Sequence, residues 1–589
     1  SRGYDRVVED LDDFPGTKWF PGARLNMAEN LLRVRDERPA IIFRREDGKS
    51  STTTYSELHA SVACLARALR EAGVSVGDRV AAYMPNIPET AVAMLASNST
   101  GAVWSSCGTE LGPVTVADRI GQIGPKVLFT VDAYLYRGKV VDVLESVQKI
   151  SRLVPTIEKI VVVPYVRELP DVGGIEKAVL ISEFASEPGM EITFEQVPFD
   201  HPVYIMFSSG TTGKPKCMVQ GAGVLINHLK ELIIHTDLKP EDRIFYITSP
   251  SWMMWNWLLG SLGGGATIVL YDGSPIHPDW GAMWKLAQDE KITIFGCSAS
   301  YISLLRSLGA EPGSAYDLGS LRAMSQTGSP LSAAGFEWVY KMIKRDMHFN
   351  SISGGTDING CFAIGSPVQP VYAGELQGPG LGMKVKAYDQ DGSPVVDKQG
   401  ELVCEAPSPS MPLSFWQDPG FEKYRKAYFD LFPGVWRHGD WITAHGDTGG
   451  ITFFGRSDFT LKPSGVRIGP AEIYNVVEQI EGIADSMAVG QDWNGDQRII
   501  LFVKLSPGHH LDEELKSKIK SALRAEASPH HVPRLIIEAP DIPYTFNMKK
   551  VESSVSNILN GKPITNRGAL TNPESLHYYE KIALELQTE

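Results

Sequence analysis

The chain has 589 residues, 43% hydrophobic and 21% charged, which fits a globular protein too long for one ordinary domain. A formal net charge of −14 repels phosphate backbones and argues against a general nucleic-acid partner. No apolar run approaches the ~18 residues that span a bilayer, and six scattered cysteines without a CxxC pair (Cys64, Cys107, Cys217, Cys297, Cys361, Cys404) predict reduced thiols in a cytoplasmic protein rather than a zinc site or disulfide frame.

The opening residues, SRGYDRVVEDLDDF, do not have the pattern of a secretory leader, and the absence of a starting Met leaves upstream targeting open. The first clear helix is TTYSELHASVACLARALREAG. Thr54 and Glu57 have capping-box spacing, Leu58, Val62, Leu65 and Leu69 recur at helical period, and Gly73 ends the run. Short apolar strands follow at DRVAAYMPN, KVLFTVDA, KIVVVPYV, PVYIMFSS, RIFYITS, ATIVLYD and ITIFGCSA, mostly with helical patterns between them. Continuous apolar strands separated by helices predict largely parallel sheets covered on both faces. Beyond about residue 455 the texture changes. A Gly-rich charged stretch leads into a helix (EIYNVVEQIEG), strands DSMAVGQ and RIILFVKL, a helix (DEELKSKIKSALRAEA) and the strand RLIIEAP, a compact α+β unit. The predicted fold class is therefore α/β. It comprises a large N-terminal domain of sheets flanked by helices over 1–457 and a small α+β C-terminal domain over 458–589.

The stretch FSSGTTGKPKCMVQ, 207–220, leaves an apolar strand and becomes small, polar and cationic at once. Glycines admit close backbone approach, N–H groups and hydroxyls donate, and lysine supplies charge, which together suit a phosphate. The spacing is not that of a Walker A loop, and Pro215 stands where a magnesium-binding hydroxyl would be. On composition alone, a solvated surface loop reads equally well.

Further motifs follow in order: SGGTD at 353–357, WRHGD at 436–440, GRSD at 455–458 and SGVRIGPAEI at 464–473. With the loop, they resemble the signature elements of the adenylate-forming superfamily of acyl-CoA synthetases, luciferases and adenylation domains. KWFPGARLNMAENLL (18–32) resembles the N-terminal segment of its acetyl-CoA synthetase group, and WMMWNW (252–257), GGTDINGCF (354–362) and GALTNPESLHYY (568–579) resemble its acetoacetyl-CoA synthetase family.

The resemblance implies an enzyme-fold domain pair, with ATP, Mg2+ and coenzyme A as the small-molecule partners. Acetoacetate would attack the α-phosphorus of ATP, and CoA would then take the acyl group. Ser208, Ser209, Gly210, Thr211, Thr212, Gly213 and Lys216 would handle the outer phosphates. Gly328, Ser329 and Pro330 of TGSP would lie along the adenine, Thr356 would reach the α-phosphate, and Asp357, shorter than the usual Glu, would support Mg2+. Asp440 would accept from the ribose hydroxyls, with Arg456 and Arg467 near ribose and phosphate. In IPYTFNMKKVE the adenylation lysine aligns with Lys549, with Lys550 as the alternative and Met548 where Gly is usual. Asp458 would be the hinge of a mobile C-terminal domain, and Ser464 and Arg524 would contact CoA.

Acetate-specific relatives place a tryptophan where Gly354 stands, so the acyl pocket is expected to take a longer chain. Trp252, Met253, Trp255, Asn256, Gly354 and Gly355 are its candidate lining, with Asn256 as a donor to a 3-keto oxygen. The alternatives are a synthetase for butyrate-like short- or medium-chain acids, a transferase loading a carrier protein, and, from another class, a nucleotide-binding regulatory protein that has lost turnover, which Met548 would permit.

Overall fold

The apolar strands assemble into two large sheets, both mainly parallel, as their continuous burial requires. The computed structural model describes residues 2–185, 191–208, 215–457, 461, 468–493, 496–545, 549–564, 567 and 570–587. Among these, the first sheet runs, edge to edge, through Ala178–Leu180, Lys159–Val163, Val127–Val131, Arg79–Tyr83, Val103–Cys107, Tyr204–Ser208, Lys216–Gln220 and Ser414–Phe415. It is parallel as far as Tyr204–Ser208, where a hairpin reverses the chain. The second sheet runs through His348–Ser351, Ala323–Thr327, Ile294–Ser298, Arg243–Tyr246, Thr267–Asp272, Pro39–Arg45 and Ser50–Thr54.

Alternation along the second sheet's strands divides two cores. Ile41, Ile244, Ile268 and Ile294 join the large core that also packs the first sheet. Their neighbours Ile42, Phe245, Val269 and Phe295 face outward onto Trp284 and Phe336. The helix Tyr55–Glu71 begins with the predicted capping box, Thr54 and Glu57 each bonding the other's backbone, and it buries Leu58, Val62, Leu65 and Leu69.

An antiparallel sheet follows, ordered Pro394–Val395, Val385–Tyr388, Gln399–Cys404, Trp436–Ala444 and Ile451–Arg456. After it the chain builds cores of its own. The hairpin Ile483–Trp493 and Asp496–Leu505 pairs with Leu535–Glu538. Met487, Val489, Ile500 and Phe502 bury one face, while Ala488, Ile499, Leu501 and Val503 bury the other. Both clusters consist of residues from 461 onward, in keeping with a small α+β unit. No helix among the described residues is long and apolar enough to cross a membrane.

Candidate active site

The hairpin that reverses the first sheet pairs Tyr204–Ser208 with Lys216–Gln220, and Ser208 stands opposite Lys216. The two ends of the Gly/Ser/Thr loop are thereby pinned side by side. Ser209, Gly210, Thr211, Thr212 and Gly213 lie outside the described residues. The Lys216 ammonium lies 5.5 Å from the centroid of the Tyr428 ring and 5.9 Å from that of Phe415.

SGGTD forms a small hairpin, Ser353–Gly355 against Gly360–Ala363, with Thr356 and Asp357 at its turn. The buried Gln220, which ends the opening stretch, donates from Nε2 to the carbonyls of Thr356 (2.8 Å) and Asp357 (3.2 Å). Its Oε1 accepts from Asn359 Nδ2 at 2.8 Å. The strand that follows the Gly/Ser/Thr loop therefore fixes the Thr-Asp turn from beneath. The Tyr428 hydroxyl donates to Asp357 Oδ1. Burial alone would raise the Asp357 carboxyl, but His438, the Tyr428 hydroxyl, Lys216 and Arg456 outweigh it and hold the group below its ordinary range.

Asp440 and Arg456 are register partners on the last two strands of the antiparallel sheet. Arg456 Nη1 donates to the His438 carbonyl at 3.0 Å and lies 3.7 Å from Asp440 Oδ1. His438 Nε2 sits 3.6 Å from Asp440 Oδ2. Burial pushes the His438 imidazole down, with Arg456 and Lys549 adding to the effect and Asp440 and Asp357 opposing it. Gly355 permits this crowding, because a Cβ there would stand 3.0 Å from both Asp357 Oδ2 and His438 Cε1.

The adjacent lysines part company. Lys550 bonds Glu478 at 2.6 Å and Asp485 at 2.9 Å and lies 4.0 Å from the Tyr474 ring centroid. All three partners belong to the C-terminal unit. Lys549 instead feels Asp440 and Asp357 across the cleft, which oppose a downward shift caused first by burial and also by Arg456. The residue is exposed overall. The turn is closed by Thr545 N–H donating to the Lys549 carbonyl at 2.9 Å. Met548, Asp458, Ser464 and Arg467 lie outside the described residues, and Arg524 is exposed on the last turn of Glu513–Glu526.

Gly328, Ser329 and Pro330 follow the strand Ala323–Thr327 at the carboxyl end of the second sheet, where open α/β sheets bind ligands. The helix Met253–Gly260 carries the acyl-pocket candidates, with Trp252 at its N-cap. Trp252 and Met253 are nearly buried, and Trp255 is core, its indole N–H donating to Asn86 Oδ1 at 3.0 Å. The Asn256 amide faces the Tyr204 hydroxyl, and its Oδ1 has no partner in a crevice shared with Ser105, Ser106 and Arg119.

Gly354 has a reason that the sequence reading did not supply. A Cβ there would lie 1.9 Å from the Gly360 carbonyl oxygen and 2.7 Å from Cys361 Cα, at the hairpin's bulge. Backbone approach, and not acyl-chain length alone, demands glycine. Tyr428 and His438 were not among the sequence candidates. His438 lies within WRHGD and was legible there, whereas Tyr428 belongs to no motif and reaches Asp357 only through the fold.

The comparisons with known proteins agree with this geometry. Residues 28–411 match the family described as "AMP-binding enzyme". The chain is 49% identical over 585 residues to the acetoacetyl-coenzyme A synthetase of Rhizobium meliloti (strain 1021), covering 98% of this chain and 88% of that protein. It is 45% identical over 600 residues to the acetoacetyl-CoA synthetase of Gallus gallus, covering 100% and 90%. The solved acetoacetyl-CoA synthetase from Streptomyces lividans superposes with a TM-score of 0.92 at 43% identity, over 99% of this chain and 90% of that one. An anthranilate CoA ligase in complex with anthranoyl-AMP shares the fold, with a TM-score of 0.77 at 20% identity over 90% of this chain and 96% of that one.

Proposed function

The chain belongs to the AMP-binding enzyme family, among its acetoacetyl-CoA synthetases, and from that premise we propose that it ligates acetoacetate to coenzyme A through an acetoacetyl-adenylate, releasing AMP and pyrophosphate. The supporting observation is that Lys549, from the C-terminal unit, lies within electrostatic reach of Asp440 and Asp357 of the N-terminal domain, a proximity that no single motif reveals.

A carboxylate oxygen is a poor leaving group, and transfer of AMP to it supplies a good one. As acetoacetate attacks the α-phosphorus, negative charge grows between the two, and the Lys549 ammonium is the cation proposed to offset it. Lys216 and the loop before it would hold the departing pyrophosphate, Thr356 would donate to the α-phosphate, and Asp440 would accept from the ribose hydroxyls. Arg456 serves Asp440 by neutralising and orienting it. Gly328, Ser329 and Pro330 would form the adenine wall.

Magnesium suits this donor set. Tyr428 takes Asp357 Oδ1, which leaves Oδ2 for an ion that keeps most of its shell as water and phosphate oxygens. Asp357 would hold it, and the ion would neutralise phosphate charge. For the second half-reaction, the C-terminal domain, 458–589, would turn about Asp458 to admit CoA, with Ser464 and Arg524 as its contacts. The described cysteines are all free thiols, which supports a reducing, cytoplasmic setting.

The 3-keto oxygen requires an N–H donor, because rejecting butyrate takes a dedicated polar group and not shape alone. Asn256 supplies one if its amide makes a half-turn, with the Tyr204 hydroxyl then donating to its carbonyl. The test is ATP–pyrophosphate exchange over acetoacetate, butyrate and acetate, followed by CoA consumption. Acetoacetate should be preferred, and Asn256→Ala should erase its advantage over butyrate. Preference of the wild type for butyrate would favour the short-chain alternative, and no exchange with any acid would favour a regulatory protein.

A further inference from the structure

The segment KELIIH, 230–235, is folded against the usual polarity. Glu231 is fully buried, while Ile233 and Ile234 are 44% and 53% exposed. A helix normally turns the isoleucines inward. Here the helix Gly223–Leu229 passes into a π-helical segment, Lys230–His235, whose wider turn changes which side chains face the protein.

The inward row grips the hairpin that carries Thr356 and Asp357. His228 Nε2 donates to the Asn359 carbonyl at 2.7 Å, Glu231 Oε1 accepts from Cys361 N–H at 2.8 Å, and His235 Nδ1 donates to the Gly365 carbonyl at 2.7 Å. Glu231 does more than its neighbours. Its Oε2 accepts from the Trp257 indole N–H at 2.9 Å, on the helix of the acyl-pocket candidates. Its Oε1 also accepts from Asn227 Nδ2 at 2.9 Å, and Asn227 Oδ1 in turn accepts from Lys230 Nζ at 2.7 Å. Burial pushes the Glu231 carboxyl up, but three N–H donors and Lys230, the counter-charge reached through Asn227, favour its ionised form.

We infer that Glu231 is a positioning residue for the adenylation step: its carboxylate ties the Trp257 helix to the Cys361 strand and so fixes where the acid sits relative to the Thr356–Asp357 turn. The hairpin's register carries the effect directly, because Cys361 pairs with Gly354 and Gly360 with Gly355, the two residues that precede that turn. This inference rests on the reading of the reaction given above. Buried carboxylates are costly, and a core position needing only stability would be served by an apolar residue. What Glu231 provides is two acceptor oxygens at a fixed spacing between the two elements that bracket the acid.

Glu231→Gln keeps size and removes one acceptor, so an amide N–H2 must face either the indole N–H or the Cys361 N–H. The expected result is a KM for acetoacetate raised about tenfold and a lower kcat in ATP–pyrophosphate exchange, with the KM for ATP within about twofold of wild type, following the energy of a lost charge-assisted bond. Adding Trp257→Phe removes the competing donor and frees the glutamine oxygen for Cys361. The double variant should then lie within about threefold of Trp257→Phe alone, well short of the product of the two single effects. Multiplicative effects, or an unchanged acid KM in Glu231→Gln, would overturn the inference. A second readout does not depend on turnover. In protein carrying 15N-labelled tryptophan, the indole N–H resonance lost in Trp257→Phe should move in Glu231→Gln, and an unmoved resonance overturns the inference. If the wild type turns over no acid at all, the reading of the reaction fails, while the indole resonance still decides whether Glu231 holds Trp257.

Discussion

The Tyr428 hydroxyl donates to the Asp357 carboxylate from 71 residues away in sequence, at the end of the helix Glu422–Tyr428. The tyrosine ring stacks on Trp436 at 3.6 Å between centroids and 13° between planes, and the Lys216 ammonium lies over its face. One side chain thus touches the phosphate-loop lysine and the proposed metal carboxylate, and it stacks on the residue that opens the WRHGD strand.

Tyr428→Phe should therefore alter the acid limb of activity. The folded Asp357 is held below its ordinary pKa, so it is ionised at neutral pH and protonates only as pH falls through that lowered value. Without the hydroxyl, His438, Lys216 and Arg456 still lower it, so the limb of kcat/KM for ATP should move upward by no more than about one pH unit. A profile between about pH 3 and 6 checks this, and an unshifted limb would mean that Asp357 does not govern it.

Lys549→Ala should slow adenylation by about 10²–10³, the usual loss for one donor aimed at developing charge. Thioester formation from supplied acetoacetyl-adenylate should be nearly unchanged. Lys550→Ala should act by a different route, leaving Glu478 and Asp485 without their buried counter-charge. Breaking such a pair typically costs about 3–5 kcal/mol, so the C-terminal unit should melt earlier. Calorimetry alongside separate half-reaction assays distinguishes the two.

Gly354→Ala should damage the hairpin more than it narrows a pocket, given the 1.9 Å approach of a Cβ to the Gly360 carbonyl oxygen. The expected outcome is a fall in kcat/KM of similar size for acetoacetate and butyrate, with their ratio kept within about twofold. A selective loss of the longer acid would return the explanation to pocket size.

His228 is fully buried, and burial pushes its imidazole down to about 4, against the hydrogen bond to Asn359. In the unfolded chain it titrates near ~6.5. As pH falls between those values, the unfolded chain takes up a proton that the folded chain refuses, so stability is lost across that window, by about 3 kcal/mol at most. Urea unfolding at pH 7.5, 5.5 and 4.5 should show this loss in the wild type and a flatter dependence in His228→Gln. Equal slopes would exclude His228 as the source.

The framework was largely legible in the sequence because it follows periodicity. The Thr54–Glu57 capping box and the apolar strands stand where their patterns placed them, and the C-terminal part is α+β as expected. The proposed site was drawn from short motifs, at Lys216, Thr356, Asp357, Asp440 and Arg456. It was illegible where a role depends on tertiary approach. Tyr428 sits in an ordinary helix, and Gln220 ends a stretch read for its phosphates. Glu231 contradicts its own local pattern, because backbone N–H groups from a distant hairpin outweigh the pull of two isoleucines toward the interior. Lys549 and Lys550, which the motif alone does not tell apart, part ways in the fold, as neighbouring residues in an extended segment do.

That divergence bears on the proposed turning of the small unit about Asp458. Lys550 carries its anionic partners along, because Glu478 and Asp485 ride on the same body. Lys549 leaves its own behind, and these act on it through space at long range, without a direct bond among the described contacts. In the proposed rotation, departure from the cleft would rupture little at this point, and the return would be drawn by attraction between unlike charges. Such a latch would be shallow in both directions, as the proposed alternation between two postures requires.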